Sequence, residues 1–235
     1  MIKHIFFDLD KTLWDFTSNS RATLAELYDY YDLGSVIPTQ LAFISHYEYH
    51  NEWCWEQYRK NNMRKDFLRH QRFFLTLRDF GLLHRSLAKK LGEAYVDKSP
   101  TQTKLVEGSL DTLEQLHPHF PLSIITNGFE EIQSIKLKSS GIDHYFTHII
   151  TSERAGCRKP HAGIFKLAMK LSKCKAQECL MVGDAPDIDI AGARQMNWQA
   201  VWFNPNRETA ELSPKAFQVQ SLMELPELIH QISQS

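Results

Sequence analysis

Two carboxylates set two residues apart at the end of a short apolar run constrain this chain more than any other feature. The stretch Ile5-Phe6-Phe7-Asp8-Leu9-Asp10-Lys11-Thr12-Leu13 opens apolar and closes on acids, the pattern of a buried parallel strand reaching the edge of its sheet. On a strand, residues i and i+2 share a face, so Asp8 and Asp10 would crowd one side if the strand continued. Open α/β sheets bind ligands at the C-terminal ends of their strands, and acids placed there form a mouth suited to a divalent cation. Taken alone, the pattern is equally a strand followed by a polar loop. Its partners along the chain decide.

Between this strand and the next lies a long segment of helical character. Leu24, Leu27, Tyr28 and Tyr31 recur at helical spacing, Gly34 and Pro38 mark a break, and Thr39 is placed to cap a second helix bearing Ile44, Tyr47, Trp55 and Tyr58. A third helix is expected from about Asp66 to Phe80, with Phe67, Phe74, Leu77 and Phe80 on its apolar side, and a fourth carries Leu87, Leu91, Ala94 and Tyr95. Past Gly108 the rhythm becomes strand and helix in alternation, the signature of a parallel sheet. Strands are expected at 121–126, 146–151, 179–182 and 200–203, with helices at 109–117, 130–140, 161–171, from about 188, and 222–232. The expected architecture is a doubly wound parallel α/β core, residues 1–15 plus 104–235, with a helical unit, residues 16–103, inserted after the first strand.

Bulk properties narrow the function classes. A formal charge of −1 over 235 residues gives no basic field for nucleic acid or membrane surfaces. Cys54, Cys157, Cys174 and Cys179 have no zinc-type spacing and are expected to be reduced thiols. The first apolar run is too short for a signal peptide and no stretch is long enough to span a membrane, so a cytoplasmic protein is expected.

Four polar sites fall at or just after strand ends: Asp8 with Asp10; Thr126-Asn127-Gly128; Lys159-Pro160; and Gly183-Asp184 with Asp187 and Asp189. Singly, each has a plain structural reading: a turn, a solvated lysine, an acid capping the next helix. In a parallel sheet, however, strand ends share one rim, so sites distant in sequence converge. Clustered carboxylates are costly without a cation among them. Asp8, Asp10 and Asp184 supply too few ligands for a full protein cage, which favours Mg²⁺ keeping waters and a substrate phosphate. A lysine, a hydroxyl and backbone N–H groups beside that metal suit a phosphoryl group, and a carboxylate nucleophile can accept it covalently.

These motifs resemble those of the haloacid dehalogenase-like hydrolase superfamily across the whole core, and the helical insertion is similar to its C1-type cap. The resemblance implies that Asp8 becomes an aspartyl phosphate and that Asp10 protonates the leaving alkoxide, then deprotonates water. It implies Mg²⁺ held by Asp8, the Asp10 backbone carbonyl and Asp184, with Asp189 supporting them. Thr126 and Asn127 would bind phosphoryl oxygens, and Lys159 would neutralise charge on nucleophile and phosphate. An acid at position 10 speaks against dehalogenation. Ile188 departs from the Asn or Asp common just before the last acid of the pattern.

Within the superfamily, Thr126-Asn127-Gly128-Phe129, Trp55-x-x-Tyr58 with Arg72-Phe73, and Trp202-Phe203-Asn204 with Arg207-Glu208 are similar to the pyrimidine nucleotidase branch. That likeness implies a Mg²⁺-dependent phosphomonoesterase acting on a pyrimidine nucleoside 5′-monophosphate, a small phosphorylated metabolite. A phosphatase of phosphoglycolate or a sugar phosphate, a phosphosugar mutase, and a catalytically silent binding protein are the competing readings. The intact Asp8, Asp10, Lys159 and Asp184 set speaks against the last. Trp53, Trp55, Tyr58 and Phe73 could stack a base, although aromatics at helical spacing are mostly core. Arg64 and Arg72 read as a solvated face, with a substrate contact as the alternative, His46, His50 and His70 as surface or packing groups, and Trp14 with Phe16 as residues where the chain enters the insertion, placed to help close the site.

Overall fold

The computed structural model describes residues 1–210 and 216–234. Its chain divides into two compact units, Met1–Phe16 with Thr103–Ser235, and Thr17–Gln102.

The first unit is built on a six-stranded sheet whose pairings are all parallel, in the order β3-β2-β1-β4-β5-β6. The strands are β1 (His4–Phe7), β2 (Leu122–Thr126), β3 (Phe146–Thr151), β4 (Cys179–Gly183), β5 (Gln199–Phe203) and β6 (Ala216–Val219). From β1 the sheet grows outward to β2 and β3, then returns to β4 on the other side of β1 and grows away through β5 and β6. This is the doubly wound arrangement expected from the sequence, with β6 as an added edge strand that the sequence pattern does not reveal.

Each central strand is buried on both sides, so it reads as a continuous apolar run rather than an alternation. Ile5, Phe7, Leu122, Ile124, Leu180 and Val182 face one core, closed by Leu113, Leu116, Leu225 and Ile229. These last four lie on α5 (Ser109–Leu116) and α8 (Leu225–Gln234). Phe6, Ile125, Met181 and Trp202 face the other, closed by Ile164, Phe165 and Ala168 of α7 (Ala162–Ser172).

The second unit packs four helices around aromatic side chains: α1 (Phe16–Tyr30), α2 (Gln40–Arg59), α3 (Lys65–Asp79) and α4 (Arg85–Lys98). Leu24, Leu27, Phe43, Tyr47, Phe73, Leu77, Leu91 and Tyr95 form its core. Thr39 caps α2 as expected, its hydroxyl oxygen accepting the Ala42 N–H at 3.1 Å. The α3 stripe differs from expectation: Phe67 is half exposed, and Leu68, Arg72, Phe73, Thr76 and Leu77 point inward. Gly81 ends the turn after α3 with φ +80°, a left-handed conformation that favours glycine.

Where the chain leaves and rejoins the sheet unit, the two segments lie side by side. Trp14 and Leu105 form an antiparallel bridge, the Asp15 N–H donates to the Lys104 carbonyl at 3.0 Å, and the Val106 N–H donates to the Leu13 carbonyl at 2.9 Å. Among the described residues, no helix is long and apolar enough to cross a membrane. All four cysteines are free.

Candidate active site

The topology puts the ends of β1, β2, β3 and β4 on one rim, and the reversal of strand order falls between β1 and β4. Asp8 directly follows β1, its N–H still donating to the Val182 carbonyl of β4 at 2.9 Å. The chain then folds tightly on itself: the N–H groups of Thr12, Leu13 and Trp14 all converge on the Leu9 carbonyl at 2.9–3.3 Å. Lys11 takes a left-handed φ of 70° to make the turn, at a cost of about 1 kcal/mol for a side chain with a Cβ. The turn brings Thr12 back to the rim, where its hydroxyl lies 3.4 Å from Asp8 Oδ2 and 3.3 Å from Asp184 Oδ1.

Lys159 is the electrostatic centre. Its side chain is 1% exposed, and its ammonium lies 2.5 Å from Asp8 Oδ1 and 2.7 Å from Asp189 Oδ1. It also donates to the Ile125 carbonyl at 2.7 Å. The Asp189 contact is an ion pair rather than an aligned hydrogen bond, since that oxygen has no donor in line with it. Burial alone would push the lysine pKa down, but the Asp189 and Asp8 carboxylates more than offset this and hold it above its ordinary value.

Asp8, Asp184 and Asp189 each offer an oxygen within 4.8 Å of the others. Burial raises the pKa of Asp8 well above the usual carboxylate range, and the charges of Asp189 and Asp184 add to it, against the opposing pull of Lys159. Burial and the Asp189 charge likewise push Asp184 up to about 6. Three carboxylates around one ammonium leave excess negative charge in a dry place. A hard divalent cation would relieve it, and an all-oxygen donor set fits Mg²⁺.

Asp189 is held where it can join the cluster. Gly183 has no Cβ, and one built there would stand 2.3 Å from Asp189 Oδ2, so only glycine lets that carboxylate lie across the strand end. The same oxygen accepts the Ala185 N–H at 3.2 Å, inside a π-helical turn at Pro186–Ile190. Asp187 is exposed and outside the cluster. The Asp184 backbone is fixed by the Trp202 indole, whose N–H donates to its carbonyl at 2.9 Å.

Of the β2-end residues, Thr126 Oγ1 accepts the Gly128 N–H at 2.9 Å, which leaves the hydroxyl proton to donate elsewhere. The Asn127 side chain is committed: its Nδ2 donates to the Lys159 carbonyl at 3.0 Å and its Oδ1 accepts the Lys159 N–H at 2.8 Å. Asn127 therefore clamps the lysine loop, and the second Nδ2 hydrogen is the donor its side chain retains for a phosphoryl oxygen.

The Asp10 carboxylate stands apart from the three-acid cluster. It is paired instead with Lys136 of α6 (Glu130–Ser139), a contact the sequence reading does not contain. Lys136 and Gln133 both sit on the buried side of α6, and polar residues at two positions of an apolar stripe were the available signal. In the helical unit, Arg72 is buried rather than solvated, donating to Asn51 Oδ1 at 2.8 Å and lying 4.7 Å from the Tyr95 ring. His46 and His50 both bond Asp79, at 2.9 and 2.7 Å, and Trp53 is partly exposed.

A family model described as haloacid dehalogenase-like hydrolase matches residues 2–197. The chain is 30% identical to pyrimidine 5′-nucleotidase YjjG of Escherichia coli, over 96% of each chain. It is 36% identical to a glyceraldehyde 3-phosphate phosphatase of Pyrococcus abyssi, covering 86% of this chain and 82% of that one. Its structure is similar to that of the magnesium-bound HAD-hydrolase YfnB of Bacillus subtilis, with a TM-score of 0.86, 25% identity and coverage of 97% and 98%.

Proposed function

The chain belongs to the haloacid dehalogenase-like hydrolases, and from that premise we propose that it is a divalent-cation-dependent phosphomonoesterase in which Asp8 takes the phosphoryl group covalently. The observation that carries this reading is the buried Asp8 carboxylate, gripped on one oxygen by Lys159 and flanked by Asp184 and Asp189. A carboxylate so held is oriented before reaction, and it accepts the phosphoryl group with Lys159 beside it to balance charge.

In the first step an Asp8 oxygen attacks phosphorus while the ester P–O bond breaks, and Asp10 gives its proton to the departing oxygen. In the second, Asp10 takes a proton from water, the water oxygen attacks phosphorus, and the P–O bond to Asp8 breaks. Inorganic phosphate leaves, and both acids return to their starting states. Lys159 balances charge on Asp8 throughout, and the Thr126 hydroxyl donates to a phosphoryl oxygen. Mg²⁺, held by Asp8, Asp184 and the Asp10 backbone carbonyl with Asp189 beside them, would supply positive charge against the phosphoryl oxygens.

For the substrate, the near-full-length likeness to a pyrimidine 5′-nucleotidase supports a nucleoside 5′-monophosphate. The higher identity to a glyceraldehyde 3-phosphate phosphatase favours a phosphorylated sugar as the second reading. With Mg²⁺ present, p-nitrophenyl phosphate is expected to be hydrolysed, and Asp8→Asn to lose turnover while remaining folded. Comparing kcat/KM for UMP, dUMP and dTMP with that for triose and hexose phosphates decides between substrates. Nucleotides no better than sugar phosphates would remove the nucleotidase reading and leave the phosphatase standing.

A further inference from the structure

We propose that Lys136 is a positioning residue for Asp10, fixing the carboxylate that exchanges protons with the leaving group and with water. The inference rests on the phosphatase reading above and assigns a function to a residue that the sequence pattern leaves as one more helix lysine.

Lys136 is 4% exposed, and its ammonium contacts Asp10 Oδ1. It also lies 4.1 Å from the centre of the Trp14 ring and 5.7 Å from that of Phe16. Trp14 is tied to the loop that carries Asp10: the Lys11 N–H donates to the Trp14 carbonyl at 2.9 Å, and Trp14 bridges both Asp10 and Leu105. The ammonium is thus boxed by indole, phenyl ring and carboxylate. Burying a lysine is costly unless its donors are met; Asp10 Oδ1 accepts from this ammonium, which leaves the other carboxyl oxygen to carry the exchanged proton.

The helix that carries Lys136 also reaches the phosphoryl-binding loop. Gln133, one turn earlier, packs on Gly128, where a Cβ would stand 2.2 Å from Gln133 Nε2. One rigid helix therefore references both Thr126-Asn127-Gly128 and Asp10. An acid that must meet a leaving oxygen on one side of phosphorus and a water afterwards gains from being held in place beforehand. As the proton leaves Asp10 for the alkoxide oxygen, the new carboxylate charge appears beside an ammonium already oriented toward it. A lysine serving packing alone would affect all substrates alike. A lysine acting through Asp10 matters most where the leaving group needs a proton.

Leaving-group dependence separates these cases. The kcat/KM of wild type, Lys136→Met and Lys136→Arg is measured with an alkyl ester, a nucleoside 5′-monophosphate, and with an aryl ester, p-nitrophenyl phosphate, whose phenolate departs without a proton. Lys136→Met is expected to lose about 100-fold on the alkyl ester and less than about 5-fold on the aryl ester, within the range of general acid catalysis. KM is expected to stay nearly unchanged, and Lys136→Arg to recover most of the loss. Equal losses on both esters, a loss confined to KM, or an alkyl rate close to wild type would overturn the proposal. Circular dichroism checks folding, and Lys136→Gln, which keeps the chain length without the charge, replaces Lys136→Met if the latter does not fold. A wild type inactive on both esters would overturn the phosphatase reading itself; an active wild type with an unaffected Lys136→Met overturns only the role of Lys136.

Discussion

The Lys159 ammonium sits 2.5 Å from Asp8 Oδ1 although 151 residues separate the two in the chain. The sheet makes this possible by placing β1 and β2 side by side and bringing the loop after β3 to the same rim. Removing one partner of a buried ion pair leaves the other charge uncompensated, which typically costs about 3–5 kcal/mol. Lys159→Met is therefore expected to lower stability by that order in chelator-treated protein, measured by urea unfolding, since both Asp8 and Asp189 lose their cation. A variant as stable as wild type under those conditions would mean that the buried pairs of Lys159 with Asp8 and Asp189 contribute no net stability.

Divalent cation binding is expected to register as stability. A ligand that binds only the folded state at about 100 times its dissociation constant adds about 2.7 kcal/mol. Mg²⁺ should raise the melting temperature of the wild type by several degrees, and Asp184→Asn should abolish that rise while leaving the metal-free melting temperature equal or higher, because one carboxylate of a crowded, buried group is gone. An undiminished Mg²⁺ shift in Asp184→Asn would place the cation elsewhere.

Stability toward acid should carry a signature of His4. Its ring lies buried in β1, hydrogen-bonded to Ser123 Oγ at 2.8 Å and stacked on Phe6. Burial, with a smaller push from His148, lowers its pKa from 6.5 to about 4. Between those values the unfolded chain binds the proton and the folded chain does not, so His4 makes stability fall as pH drops from about 6.5 to 4. The full effect is about 3 kcal/mol. His4→Gln, which keeps a hydrogen-bonding group without the titration, should show a correspondingly shallower decline in urea-derived stability over that window. Parallel curves for the two proteins would contradict this.

The helical unit depends on a polar pair inside its aromatic core. Arg72 donates to Asn51 Oδ1 at 2.8 Å and lies 4.7, 5.5 and 5.8 Å from the centres of the Tyr95, Tyr47 and Phe73 rings. Asn51→Ala and Arg72→Ala should each destabilise by about 2–3 kcal/mol, and the double variant should cost less than their sum by about 1 kcal/mol or more. Additive losses would show that the hydrogen bond contributes little and that the rings carry the arginine.

The sheet was legible in the sequence because each central strand is buried on both faces and so appears as an unbroken apolar run ending in a polar residue. Asp8, Thr126 and Asp184 could be placed on one rim for that reason alone. The strand β6 was not legible: Ala216-Phe217-Gln218-Val219 is a four-residue edge strand, short enough that periodicity carries no signal. Nor was the partner of Asp10. Lys136 is a charged residue on an amphipathic helix, and only the third dimension shows that its side chain turns inward onto Trp14. Arg72 misleads in the same way, since an arginine beside aromatics reads as a surface residue until the rings are seen to surround it. Asn127 shows a subtler limit. Its place in the motif was visible, but its commitment to the Lys159 backbone follows from how two loops meet.

The chemistry itself is tested most directly by locating the phosphoryl group during turnover. Enzyme in excess over p-nitrophenyl phosphate is mixed with Mg²⁺, quenched in acid within the first turnover, digested, and mapped by mass spectrometry. The expected result is a single phosphoryl group on the peptide containing Asp8, at Asp8 and not Asp10, and absent from Asp8→Asn. A phosphoryl group on another side chain, or release of inorganic phosphate by Asp8→Asn at the wild-type rate, would contradict covalent catalysis by Asp8.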